Sequence, residues 1–378
     1  MNIGFDGKRA ANNLTGLGNY SRSLITHLSS FFHQNHYFVY SPKVKAIPQV
    51  SSFLKRENIH LCLPDKHSLL WRSLGIKKQF SKDRIDLYHG LSNEIPLGMQ
   101  HSPVKTVVTI HDLIFLRLPQ QYKFIDRSIY NFKSKYACKH ADRIIAISEQ
   151  TKKDIIHFYH TDPAKIEVIY QTCDDAFKQL VPEEKKESVR SRYNLPEKYL
   201  LNVGTIEPRK NLKLIVQALR EVPQDVKLVV VGKKQPYAAQ VMDEIIKLGL
   251  EKRVIFLRDI PFSDLPAIYQ SAQIFIYPSF YEGFGIPVIE ALYSGIPVIA
   301  ATGSCLEEAG GSGSVYIDPN NAAELTLAIN TILQNSDQQS LMREKGLVHV
   351  QQFEAEVLAN QLMNCYLNIN LHHAKNGN

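Results

Sequence analysis

Two rounds of the same alternation run through this chain. Short apolar, β-branched runs bounded by turn residues fall at 2–6, 37–41, 59–63, 85–88, 104–110, 143–147 and 166–170, and a longer helix-like pattern follows most of them. A break covers 178–198, where Pro182, Pro196 and the charge run Glu183-Glu184-Lys185-Lys186-Glu187 read as a linker carrying one short surface helix. The alternation then resumes with runs near 199–204, 226–232, 253–257, 274–278, 296–300 and 315–318. Parallel strands need a crossover between them, usually a helix, so this rhythm predicts an α/β chain with two doubly wound parallel sheets. The expected domains are 1–178 and 179–352. The tail 353–378 is a final helix whose apolar positions Phe353, Val357, Leu358, Leu362, Cys365 and Leu367 have nearly helical spacing, with a return to the first domain as one placement. No close repeat relates the two halves.

A chain of 378 residues with 44% hydrophobic and 21% charged residues can fill two cores. Met1 leads straight into the apolar run Ile3-Gly4-Phe5-Asp6, without the basic start and small-residue cleavage site of a secretory leader, so a cytoplasmic protein is expected. The longest uncharged runs, 265–281 and 357–374, are broken by Pro, Ser, Asn or Gln and do not read as membrane spans. Five cysteines without a Cys-x-x-Cys pair indicate neither a disulfide framework nor a zinc site. Charge is uneven. Residues 1–180 hold 25 Lys and Arg against 15 Asp and Glu, a balance of +10, while 181–378 hold 19 against 22, a balance of -3. The basic half suggests an anionic partner: membrane lipid, a phosphorylated acceptor or nucleic acid.

Ligands of doubly wound sheets bind beyond the carboxyl ends of the strands, where the strand order reverses. Three segments place chemistry at such ends. In Pro278-Ser279-Phe280-Tyr281-Glu282-Gly283-Phe284-Gly285-Ile286-Pro287-Val288-Ile289-Glu290 a strand enters a two-glycine loop, and a helix opens near Gly285 with Pro287 in its first turn. The loop's backbone N–H groups and the helix N-terminus suit anionic or hydroxyl oxygens. Glu282 and Glu290, eight residues apart, can reach different parts of one elongated ligand. In Leu201-Asn202-Val203-Gly204-Thr205-Ile206-Glu207-Pro208-Arg209-Lys210-Asn211-Leu212 a second strand-turn-helix carries Arg209 and Lys210 at its tip, placed to hold a phosphate. At the amino end, Thr15-Gly16-Leu17-Gly18-Asn19-Tyr20 is a glycine-rich loop that departs from the dinucleotide fingerprint because Ser21 holds its final position. His111 stands at the carboxyl end of the strand 104–110.

Together these residues resemble a retaining glycosyltransferase of family 4, the glycosyl transferases group 1 set. The resemblance rests on 16–20, Thr109-Ile110-His111-Asp112, Ala141-Asp142 through Ser148, Val203 to Asn211, Glu282 to Glu290, Gly295-Ile296-Pro297-Val298-Ile299-Ala300 and Glu307-Glu308. It implies the GT-B fold, two facing Rossmann-like domains with a cleft between them. It further implies transfer of a hexose from a GDP- or UDP-linked sugar to a glycan or lipid-linked acceptor, as in mannosyl- and rhamnosyl-type transferases of bacterial surface-polysaccharide assembly. In its terms Lys210 and Arg209 hold the donor diphosphate, Glu282 contacts the transferring sugar and Glu290 the ribose. His111 lies beside the sugar, and Gly16 and Gly18 line the acceptor side near the phosphates. Gly204, Thr205, Gly283, Phe284, Gly285 and Ile286 complete the donor loops. Many relatives carry an arginine where this chain has Thr205. No Asp-x-Asp occurs in the chain, and with it the metal-holding device of the other main glycosyltransferase fold is missing, so the implied reaction uses no metal and no cofactor.

Three rivals compete: a nucleotide-sugar epimerase or phosphorylase on the same scaffold, a sugar-binding protein without activity, and a nucleic-acid binder. The Arg-Lys tip is superfluous for a neutral ligand, and no zinc finger, RNA-binding aromatic motif or continuous basic helix supports nucleic acid. A last expectation concerns 67–82, where Leu70, Trp71, Leu74 and Phe80 form an apolar stripe beside Arg72, Lys77, Lys78 and Lys82. That is the pattern of a helix lying on an anionic membrane surface.

Overall fold

The computed structural model describes residues 1–14, 16–45, 47–64 and 71–375. The chain forms two compact units, Met1–Gln171 with Glu354–Asn378, and Thr172–Phe353. The first holds seven strands: β1 Asn2–Asp6, β2 His36–Tyr40, β3 Ile59–Cys62, β4 Leu87–Gly90, β5 Lys105–Ile110, β6 Arg143–Ala146 and β7 Ile166–Val168. All pair in parallel, in the order β3-β2-β1-β4-β5-β6-β7. The second holds β8 Tyr199–Val203, β9 Lys227–Val231, β10 Val254–Leu257, β11 Ile274–Tyr277, β12 Val298–Ala301 and β13 Val315–Ile317, also all parallel, in the order β10-β9-β8-β11-β12-β13. The order reverses between β1 and β4 in one sheet and between β8 and β11 in the other, which fixes where each unit offers a binding edge.

Helices cover both faces of each sheet, which is why the strands are near-continuous apolar runs; Ile274, Phe275, Ile276 and Tyr277 are all buried. On one face of the first sheet, Ile3, Phe5, Ile25, Leu28, Tyr37 and Leu87 form a core completed by Leu358, Leu362, Met363, Tyr366 and Ile369 from the terminal helix Ala355–Lys375. That helix packs along the helix Gly16–Phe31.

The structure differs from the sequence pattern at several points. The division falls at Gln171/Thr172, seven residues before the expected 178, because Phe177 is buried against Phe262 and Tyr269 of the second unit. The short helix expected within the linker is present, Glu183–Tyr193, but it is fastened to that unit: Lys185, Arg192 and Tyr193 donate to the buried Asp264 carboxylate at 2.6–2.7 Å. Phe353 packs on Phe284 of the second unit rather than opening the tail helix. The strand expected over 85–88 runs Leu87–Gly90, which buries His89 in the sheet.

The stripe at 67–82 is not a surface helix. His67 to Leu70 lie outside the described residues; the rest is a π-helical turn, Trp71–Gly75, and a short helix, Lys77–Lys82. Trp71 and Phe80 are buried with Tyr40, Ile76, Ile85 and Tyr88 in the core on the other face of the first sheet, while Leu74 is exposed. Arg72 points inward, donating from Nε to Asp6 Oδ1 at 2.9 Å and pairing with Glu94. Burial alone would raise the Asp6 pKa, but the Arg72 charge and hydrogen bonds outweigh it and hold the carboxyl below its ordinary value. An arginine at a membrane surface could be removed at a cost within ~0.5 kcal/mol. Truncating one partner of a buried pair strands the other charge, so Arg72→Ala is expected to lower the stability of this unit by about 3 kcal/mol in urea unfolding. A loss within the surface range would place Arg72 back in solvent.

Candidate active site

At the β8/β11 reversal, Asn202 donates to the Ile276 carbonyl at 2.8 Å and ties the two strands together just before their loops diverge. Gly204 follows with φ +150° and donates to the Val231 carbonyl at 2.9 Å. A Cβ on the neighbouring Gly232 would stand 1.8 Å from the Gly204 carbonyl oxygen, so the end of β9 must be glycine for this turn to close. Pro208–Lys210 make one 3-10 turn, and Asn211 adopts a left-handed backbone with φ +55° before the helix Leu212–Leu219. Its side chain donates to the Pro319 carbonyl at 2.7 Å, and Phe280 donates its N–H to the Arg209 carbonyl at 2.9 Å, which joins the two functional loops.

This frame brings Arg209, Lys210 and Glu282 together. Glu282 Oε1 accepts from Lys210 Nζ at 2.9 Å and Oε2 pairs with Arg209 at 2.6 Å. Arg209 also donates to the Tyr281 carbonyl at 2.5 Å and to Glu207 at 2.6 Å. Lys210 donates to the Tyr277 hydroxyl and lies 4.7 Å from the centre of that ring. The side chains of Arg209, Lys210 and Glu282 are 11–14% exposed. Burial would raise the Glu282 pKa, but Lys210 and Arg209 overcome it and bring it to about 2, while the same pairs push Lys210 and Arg209 upward despite their burial. All three are charged at neutral pH.

Gly283, Phe284 and Gly285 carry the chain from Glu282 into the helix Ile286–Tyr293. Gly285 has φ +143°, and a Cβ there would press on Leu306 and Ala309 at 3.0 and 3.1 Å. The Cys305 thiol donates to the Phe284 and Glu282 carbonyls at 2.9 and 3.2 Å. Glu290, one turn from the end of that helix, accepts from the Tyr269 hydroxyl at 2.8 Å. Its pKa is raised to about 7 by burial, against the hydrogen bond from Tyr269 and with the help of the Asp174 charge.

His111, Gly16 and Gly18 belong to the other unit. His111 follows β5 and is 6% exposed. Its Nε2 donates to the Leu91 carbonyl at 2.8 Å and its Nδ1 accepts from Gln171 at 3.1 Å, so both ring nitrogens are engaged. Burial lowers its pKa to about 4 and keeps it neutral, which removes it as a cation for phosphate. Gly18 is required by the fold, since a Cβ would stand 1.8 Å from the Asn13 carbonyl oxygen, whereas a Cβ on Gly16 would meet nothing within 4 Å. Thr15 lies outside the described residues. Among the described residues no group of three or more His, Cys, Asp or Glu side chains is arranged to hold a metal ion.

Sequence reasoning missed Tyr277, Tyr269 and Gln171. Tyr277 had a readable signal, a hydroxyl on the last residue of a strand beside the switch point. Tyr269 and Gln171 had none, being distant in sequence from the groups they orient.

Comparison with known proteins decides the class of chemistry. The family "Glycosyl transferases group 1" matches residues 183–348, and "Glycosyltransferase Family 4" matches 14–177. The chain is a glycosyltransferase. It is 28% identical to the O-antigen chain mannosyltransferase B of Escherichia coli, over 93% of this chain and 96% of that one. It is 29% identical to the O-antigen chain mannosyltransferase RfbU of Salmonella typhimurium over 61% of each. Among solved structures, HepE of Anabaena in complex with UDP and glucose superposes with a TM-score of 0.76 at 17% identity, over 97% of this chain and 100% of that one. The glycosyltransferase thus has the two-domain, Rossmann-like GT-B fold. Among its described residues no helix is long and apolar enough to cross a membrane.

The buried Glu290 carboxyl gives this glycosyltransferase a measurable signature. A folded pKa near 7, above the ordinary 4.5, means that folding takes up a proton, so the stability it contributes is fully present below about pH 4.5 and lost as pH rises through about 7. Urea unfolding of wild type relative to Glu290→Gln should therefore show the wild type losing on the order of 1–3 kcal/mol between pH 5 and 8. Parallel pH curves would show Glu290 to be ionised in the folded protein throughout.

Proposed function

We propose that this glycosyltransferase moves a hexose, mannose foremost, from a GDP- or UDP-linked sugar to a glycan or lipid-linked acceptor in bacterial polysaccharide synthesis, at the cytoplasmic side of the cell envelope. The observation that carries the reading is the Arg209–Glu282–Lys210 cluster at the switch point. Breaking an anomeric C–O bond leaves negative charge on the departing diphosphate. Two cations fixed there stabilise that charge more in the transition state than in the bound donor, and they do so without a metal. A diphosphate arriving at Arg209 and Lys210 exchanges with Glu282, releasing the carboxylate to accept hydrogen bonds from the sugar's hydroxyls. Glu290, held by Tyr269, accepts from the ribose. Retention of configuration follows when the acceptor hydroxyl attacks from the leaving-group face and the departing phosphate takes its proton. The mannosyltransferase names of the two bacterial relatives support mannose, and the UDP complex of HepE supports a nucleotide in the second unit.

Arg209→Ala and Lys210→Ala should each lower kcat by about 10²–10³-fold, since each removes a preorganised charge at the leaving group. The assay is transfer from GDP- and UDP-mannose with EDTA present, and circular dichroism checks the fold. Near-wild-type turnover in both variants would sink the phosphate assignment. The two carboxylates should separate in steady-state kinetics. Glu290→Gln raises the donor KM at nearly constant kcat, because a ribose contact is uniform binding, whereas Glu282→Gln lowers kcat. The reverse pattern would exchange their roles.

A further inference from the structure

The helix Phe124–His140 buries only Ser134, Ala137 and Cys138. Its outward side carries Phe124, Ile125, Ile129 and Phe132 at 72, 70, 47 and 60% exposure. At 100° per residue, Ile125, Ile129 and Phe132 lie within one 60° arc opposite the buried side, and the Phe132 ring stacks on Tyr136 at 6.4 Å. Scattered exposed apolar residues are ordinary, but three large ones on a single helix face, with Phe124 at its start, form a patch that marks a docking surface. The flanks of that arc are cationic, with Lys133, Lys135 and Lys139 against Asp126. Of these, Lys133 is engaged by Glu94 at 2.8 Å.

We propose that this face docks on an anionic lipid bilayer, with Ile125, Ile129 and Phe132 inserted at the headgroup boundary and Lys135 and Lys139 reaching the lipid phosphates. Two observations choose this occupant. Protein interface cores are depleted in lysine, whereas helices lying in a membrane surface combine large apolar residues with a lysine-rich rim. A second copy would bring the same positive face against itself, which is repulsive. Position gives the contact a purpose. The helix connects the parallel strands β5 and β6, so its first turns stand at the carboxyl edge of the sheet, the edge that also carries His111 and the start of the helix Gly16–Phe31. A lipid-linked acceptor would then meet the protein where this unit offers its binding edge. The membrane contact deepens the proposed function and rests on it only for that purpose.

The test is co-sedimentation of the full chain with phosphatidylcholine vesicles and with vesicles containing phosphatidylglycerol, at low and high salt. Binding to the anionic vesicles alone, weakened by salt, is expected. Ile125→Ser/Phe132→Ser and Lys135→Glu/Lys139→Glu should each weaken it at least about tenfold, while Lys77→Glu/Lys78→Glu, on the other helix, should leave it unchanged. Thermal stabilisation by nucleoside diphosphates should be the same in every variant, so a failure of the donor reading shows there and not in the vesicles. Equal binding to neutral and anionic vesicles, or equal binding by all three double variants, overturns the proposal. So does a dimer in sedimentation velocity that Ile125→Ser/Phe132→Ser dissolves, which would assign the face to a second copy.

Discussion

Every paired strand in both sheets runs parallel to its neighbours, and this places all their outgoing loops on one edge of each unit. The edge alone does not make a site; the reversal of strand order does, because adjacent loops there lead to opposite faces and leave a gap between them. In the second unit the gap lies between β8 and β11, and the hydrogen bond from Asn202 to the Ile276 carbonyl holds those strands in register just below it. Gly204, Gly232 and Asn211 let the first loop turn tightly, and the bond from Phe280 to the Arg209 carbonyl sets its height against the second loop. The position of each charged side chain follows from that frame.

Charge is what the frame is for. Arg209 and Lys210 side by side, each less than 15% exposed, would repel one another in a medium that screens poorly, and each would pay heavily for leaving water. Glu282 lies between them, Glu207 takes the far side of Arg209, and the four charges sum to zero. A cluster so balanced holds both cations in fixed positions despite their burial. It also fixes where pH can act. The carboxyl of Glu282 near 2 and the two bases above their ordinary values stay ionised across the neutral range, so among the carboxylates of this loop and its helix it is Glu290, accepting from a neutral phenol, that pH near 7 reaches.

Much of this was legible in sequence. The thirteen strand runs, the helices between them and the two loop segments that carry Arg209, Lys210 and Glu282 follow from local pattern: period, glycine position and charge. What was not legible depended on contacts between residues far apart. Trp71 and Phe80 have the spacing of a surface stripe, and periodicity cannot tell a stripe facing lipid from one facing a sheet; Asp6, sixty-six residues before Arg72, decides it. Phe177 reads as the end of the first domain until Phe262 and Tyr269 are beside it. The amphipathic face of 124–140 is hard to read for the opposite reason, because the residues that pack inward, Ser134, Ala137 and Cys138, are small and leave the large apolar ones outside. His111 illustrates a third limit: its place at a strand end was readable, but its neutral state follows from burial and its tautomer from Leu91 and Gln171, on two other segments.

The terminal helix braces the strand end that carries His111. The Tyr366 hydroxyl lies 2.6 Å from His89 Nδ1, His89 Nε2 lies 2.8 Å from Thr109 Oγ1, and the Tyr20 hydroxyl lies 3.2 Å from the same Thr109 oxygen. This buried chain links the tail to β4, to β5 two residues before His111, and to the helix that begins at Gly16. Burial lowers the His89 pKa to about 3, so the imidazole stays neutral and the chain runs through uncharged groups that are costly to break and cheap to bury. Tyr20 then sets its ring edge-on to His111 at 4.7 Å. The last twenty residues of the fold therefore do more than cover an apolar face. Through three hydrogen-bonded side chains they brace the strand end where the first unit carries its candidate site residue, and a core that ended at Gln171 would lack both the cover and the brace.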